Sequence, residues 1–337
     1  MGSSEPRPPT EEAKLSIYQL ARLYCRERLL VDPFLWTSRH VELLQFTFGQ
    51  PTNAPSLKQD ERQPTCLPEK HSRPDLVRKL LQGAECGWMR REFDMLKLMT
   101  APGSPFVSVD DLTFHFKGYC IRTLECLIFC RGEDPEAAMH WYLPPVVAFM
   151  DREHVGYQRS QFVHTGSSGS RSGRQELRRK RRRKIPQALA LAQLKKLIPP
   201  NALHDPCIVA LLISLAQGQR HHLRVVERER EVDAPVFLAQ VLFLDPDDTR
   251  YLHLFSADIS SSFLEKFDFP AVPPSPPAQT SVLIRHTVVP FEPFETFQHR
   301  IFELLLPTLD VQKQNSKGED TPPRPGNLGE GGGQTGR

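Results

Sequence analysis

Seven consecutive cations, Arg178-Arg179-Lys180-Arg181-Arg182-Arg183-Lys184, interrupt this 337-residue chain. No fold can bury such a run, because nothing nearby could neutralise every charge. It must stay in water or lie against something acidic. The segments on either side of it are expected to share one core, because several short N-terminal helices separated by loops make a weak core of their own. The stretch leading in, Gly166-Ser167-Ser168-Gly169-Ser170-Arg171-Ser172-Gly173, has the composition of a flexible linker. Residues 156–184 therefore read as one polar loop with the cations near its end.

The overall charge hides this asymmetry. The chain is +3, yet Arg171 to Lys184 holds nine cations against Glu176 alone, a local +8. The remainder is then 3 − 8 = −5. A mildly acidic body with one intensely basic loop fits a local binding or address element better than a general nucleic-acid coat. The seven cysteines form no regular framework. The first residues are polar and proline-rich, without the apolar centre of a signal peptide. Met1-Gly2-Ser3-Ser4-Glu5 opens like a myristoylation site, but Pro6 stands where Ser or Thr is needed. No stretch reaches the ~18 apolar residues that would span a membrane, so no membrane partner is expected. A reducing compartment, nucleus or cytoplasm, with the cysteines as thiols, is the expected setting.

Periodicity gives the elements. Residues 1–10 read as a disordered lead. A helix is expected from Thr10 to about Val31 and a second from Ser38, carrying Val41, Leu44 and Phe48. From Gly49 to about Ser72 the composition is that of a surface loop. Helices are expected at 72–83, 88–99 and 134–142. The alternation of Leu112, Phe114 and Phe116 allows a strand, but later spacing favours helix across 109–130, so 11–155 reads as mainly helical. Beyond the basic run, helices are expected at 187–197 and from Asp205 to His221. Asp205-Pro206 makes a cap with proline at the first helical position. Strands follow at 223–229, 236–244 and 251–258, the last two joined by the turn Asp245-Pro246-Asp247-Asp248-Thr249. A short helix at 261–267, a strand at 281–289 and a helix at 292–305 complete a domain over 185–307. Residues 308–337 lack apolar periodicity and read as a disordered tail. The fold class is α+β: a mainly helical N-terminal half and a C-terminal small sheet flanked by helices.

No motif for a catalytic residue, cofactor or metal emerges. Arg178, Arg179, Lys180, Arg181, Arg182, Arg183 and Lys184 can be a nuclear import signal held by an acidic receptor groove. They can also contact nucleic-acid phosphates, or form a solvated loop. Import leads, because the cations are packed into seven residues on a tether. A nucleic-acid reader would spread them over a folded face with aromatics, and none stands between Val163 and Ala190. Cys126 and Cys130 would share a helical face, but Cys120 and His115 supply no second ligand pair. Leu127, Ile128 and Phe129 between them point to buried structural thiols. His221 and His222 read as a polar helix end. Asp245, Asp247 and Asp248 read as turn residues rather than calcium ligands.

The order expected from 205 onward, helix, three strands, helix, strand, resembles the core of the PD-(D/E)XK nuclease superfamily. Active members carry an acid near the second strand and Glu-x-Lys on the third. Asp245 ends the second strand here, but the third reads Leu254-Phe255-Ser256-Ala257-Asp258, without that lysine. The resemblance implies either a degenerate fold reused for binding or a divergent metal-dependent nuclease-like enzyme drawing on Glu227, Glu229, Asp245 and Asp258. Separately, His204–Arg220, Leu252–Ala257 and Phe263–Asp268 are similar to segments of uncharacterised proteins of filamentous fungi, which carry no known activity. The expected function is that of a non-enzymatic intracellular interaction protein. Its basic loop would meet an import receptor or nucleic acid.

Overall fold

The computed structural model describes residues 11–55, 74–82, 87–109, 112–132, 143–165, 187–226, 235–274 and 279–306. Its frame is a mixed seven-stranded sheet of β1 (Phe46–Asn53), β2 (Phe106–Val109), β5 (Leu127–Arg131), β6 (Pro145–Asp151), β7 (Val236–Leu244), β8 (Tyr251–Ser260) and β9 (Val282–Pro290). The order across the sheet is β1-β9-β8-β7-β6-β5-β2. The β1–β9 and β6–β7 pairs are parallel and the others antiparallel. β3 (Leu112–Phe116) and β4 (Tyr119–Leu124) form a separate hairpin. Since β1 pairs with β9 and β6 with β7, both halves of the chain build the one sheet.

Alternation along the strands creates two apolar faces. Ala148, Met150, Val241, Phe243, Phe255, Ala257 and Ile284 line one face. It is covered by α7 (Pro206–Val226), α8 (Ser261–Asp268), α2 (Ser38–Leu43) and the β3–β4 hairpin. From Cys207 to Ile213 every residue of α7 is essentially inaccessible. A helix apolar all round is stable only when enclosed, and here the sheet and the hairpin enclose it. Phe129, Val147, Phe149, Leu242, Leu254 and Phe291 line the other face. That face takes α3 (Pro74–Gln82), α4 (Trp88–Met99) and α9 (Phe294–Leu305). At the side, α5 (Arg152–Thr165) packs on α6 (Gln187–Leu197) through Val163, Ala190 and Leu197. Among the described residues no single helix is long and apolar enough to cross a membrane.

The α+β class holds, and α3, α4, α6, β7, β8, α8, β9 and α9 lie where their periodicity places them. The first half is less helical than its sequence suggests. The first expected helix is only α1 (Ile17–Leu23) after a short 3-10 turn, because Ser16 and Gln19 form a reciprocal cap there. Phe48 is in strand β1 rather than α2, and β1 continues to Asn53 through the expected loop. Gly49 allows this close approach: a Cβ there would lie 3.1 Å from the Ile284 carbonyl oxygen. The segment 109–130 is strand rather than helix, contributing most of β3 to β5. The polar insert begins later than expected, since α5 runs to Thr165. Residues 223–226 continue α7 instead of starting a strand. Once a helix has nucleated, each further residue adds a hydrogen bond at little cost, and two valines do not stop it. The expected helix at 134–142 and the two chain ends lie outside the described residues.

Candidate functional site

Open sheets concentrate chemistry beyond the carboxyl ends of parallel strands. Here β6 and β7 end side by side, with Asp151 opposite Leu244 and Asp245 next along the chain. The core side of α4 sends Arg91 into this end. Its guanidinium is 1 % exposed and meets Asp151 twice, at 2.5 and 3.1 Å, and Glu153 at 2.7 Å. Burial alone would lower the Arg91 pKa, but the two carboxylates more than offset it. Asp151 also accepts from the Glu153 amide at 2.8 Å and so caps α5.

Arg152 bridges to the next loop, meeting Asp245 at 3.2 Å and also Asp247. Asp245 accepts from the Asp247 amide at 3.0 Å, and Asp248 accepts from the amides of Arg250 and Tyr251. These acids shape the turn, as the sequence suggests. Leu80, Leu81, Arg91, Asp245 and Asp248 border a depression with a cavity volume of about 10 Å³. That is room for about one water and not for a small-molecule ligand.

A buried histidine pair lies beside this loop. His253 Nδ1 and His286 Nε2 are 3.1 Å apart, and both rings are almost inaccessible. His286 stacks on Phe255 at 4.5 Å. Burial, then the neighbouring His253 and His204, push the His286 pKa down to about 4. Burial lowers His253 too, partly offset by Asp248 and Asp245. A third cluster joins α4 and α5: His154 bonds Glu92 at 2.6 Å and Gln158 at 2.9 Å, and the Trp88 indole stacks on it at 3.7 Å. Farther along α5, Arg159 grips Asp205 with two bonds of 2.7 Å, and Asp205 caps α7 through the Cys207 amide. That cap is the one expected from Asp205-Pro206.

The residues singled out in the sequence are not drawn together. Arg178 to Lys184 lie outside the described residues, between two helices, α5 and α6, that pack on each other. Glu227 and Glu229 also lie outside them. Asp258 faces Leu238 across the β7–β8 pair, whereas Asp245 follows the end of β7. The seven residue steps from Leu238 to Asp245 separate the two acids by about 23 Å. Asp258 is paired instead with Arg285 at 2.5 Å, so Asp245 and Asp258 cannot share a metal. Cys126 and Cys130 lie around a strand, not on a helical face. Cys126 is half-buried and Cys130 fully buried, its thiol pushed up to about 12 by burial. His115 pairs its backbone with Gln217, and His221 belongs to α7. Among the described residues no group of three potential metal ligands converges.

Sequence reasoning did not find Arg91, Asp151, His154, Arg159, His253 or His286. A signal existed for some of them. Arg91 and Asp94 occupy core positions of α4, and Asp151 ends the apolar run Val146-Val147-Ala148-Phe149-Met150. A charge in an apolar stripe demands a buried partner, although the stripe does not say which. No protein family matches the chain, and no curated protein is significantly similar to it.

Proposed function

We propose that this chain is a non-enzymatic binding protein directed to the nucleus by Arg178 to Lys184, with an import receptor as the first partner of that run. The carrying observation is where the run is attached. It belongs to the 21 residues between Thr165 and Gln187, whose flanking helices are pinned together by Val163, Ala190 and Leu197. The helices at both of its ends meet at one packed junction, so a receptor can take the run without unfolding the sheet. The state of the chemical groups supports a binding role. Asp151, Asp245 and Asp258 are each held by an arginine, and burial keeps the Cys130 and Cys207 thiols protonated. Nothing in the placement of Asp245 and Asp258 favours the nuclease-like alternative.

The test is the location of a fluorescently tagged chain beside a variant with 178–184 replaced by Ala, Ser and Gly. Nuclear signal lost only in the variant supports the address. Equal distribution of both refutes it, leaving the run as a cytoplasmic contact for acidic partners.

A further inference from the structure

The solvent side of α4 has an unusual composition. Its four exposed positions are Met89, Arg90, Phe93 and Lys97, two apolar side chains and two cations with no acid. Met89 is 68 % exposed and Phe93 46 %. The acids of the same helix turn inward: Asp94 is buried against Arg90 at 3.1 Å, and Glu92 is bonded to His154. The Lys97 ammonium stands 4.1 Å from the centre of the Phe93 ring, and the Arg90 guanidinium 5.8 Å from it. At the helix start, Trp88 lies flat on His154, whose ring Glu92 and Gln158 hold in place. Tyr157 of α5, 47 % exposed, sits 5.5 Å from Trp88. The nearby acid on α5, Glu153, is committed to Arg91 at 2.7 Å.

We infer that this face, Tyr157, Trp88, Met89 and Phe93 with Arg90 and Lys97, receives single-stranded nucleic acid. Exposed rings accompanied by cations, Lys97 over one side of Phe93, with the neighbouring carboxylates Asp94, Glu92 and Glu153 already paired, match what an unpaired strand offers: bases to stack and phosphates to neutralise. A duplex keeps its bases stacked inside and has no free ring face for Phe93 or Tyr157. The face stands on its own residues. The +8 stretch from Arg171 to Lys184, which follows α5 in sequence, adds long-range attraction. The inference goes beyond the nuclear address and does not depend on it.

The experiment is fluorescence anisotropy of a labelled oligothymidylate of about twenty nucleotides, several sites of the size such surfaces cover. It is titrated with the full chain at low and moderate salt. Phe93→Ala and Tyr157→Ala should each weaken binding about 5- to 150-fold, the range for losing one stacked base. Tyr157→Phe should bind like the wild type. Replacing 178–184 should weaken binding and flatten its salt dependence, while sensitivity to Phe93→Ala persists. Both rings are solvent-facing, so an unchanged melting temperature separates lost contact from lost fold. The inference is overturned if ring removal leaves affinity within about twofold while replacing the run abolishes binding, a result that assigns the contact to the run alone. It is equally overturned if the wild type binds no oligonucleotide, which leaves the face to a protein. The import reading is scored separately, by location in the cell.

Discussion

Acid should unfold this protein through His286. The ring is 3 % exposed, stacks on Phe255 and shares a hydrogen bond with His253. That bond uses one proton between two nitrogens, so a proton added to either ring is buried beside another imidazole. The His286 pKa is accordingly pushed down to about 4 from 6.5. A depressed histidine pKa means that the unfolded chain binds the proton first. Stability is then full above about pH 6.5 and falls as pH drops toward 4. Linkage over that shift removes about 2 kcal/mol between pH 7 and pH 5. At a urea slope of about 2 kcal/mol/M the midpoint falls by about 1 M from this residue. His253 is lowered in the same direction and adds to the fall. His286→Gln keeps a hydrogen-bonding group but cannot titrate. Its loss of stability from pH 7 to pH 5, read from urea midpoints by circular dichroism, should be about 2 kcal/mol smaller than the wild type's. Keeping above pH 5 leaves out most carboxylate titration. Parallel losses in the two proteins would mean that water reaches His286 and that it titrates normally, and the reasoning would be wrong.

Other perturbations have defined outcomes. Arg159→Ala leaves the Asp205 carboxylate buried without its partner, which should cost about 3–5 kcal/mol and lower the melting temperature by at least about 6 °C. A change under about 2 °C would show that water solvates this pair. Replacing most of 166–186 with a short Gly/Ser bridge should leave the melting temperature nearly unchanged, because loop length costs little and the α5–α6 junction remains. A large drop in thermal melting would place part of that segment in the core. In the native protein at neutral pH, iodoacetamide should modify Cys25 and Cys120, which are exposed, and spare Cys130 and Cys207. Peptide mapping that finds Cys207 alkylated before unfolding would contradict the enclosure of α7.

Much of the second half was legible because its signals are local. Asp205-Pro206 starts α7, the Asp-rich turn joins β7 to β8, and alternating apolar residues mark the strands on both sides. The first half gave weaker signals. β1 contains Gly49 and Pro51, both poor strand formers, and is a strand because β9, about 235 residues later, offers open hydrogen-bonding groups along Val282–Val288. Its place at the sheet edge is what lets Pro51 fit. β3 to β5 read as helix because short apolar runs look alike in either period, and partner strands resolve them.

The sequence by itself determined that the seven cations are excluded from any core and that helical and strand periods are both present. Those conclusions need only the cost of burying charge and the spacing of apolar side chains. Tertiary structure alone decided that the two halves share a sheet. It also set Arg91 against Asp151 and His253 against His286, and separated Asp245 from Asp258. Each of these outcomes depends on which strands lie side by side and in what register, and a register is chosen by the energy of the whole packed sheet.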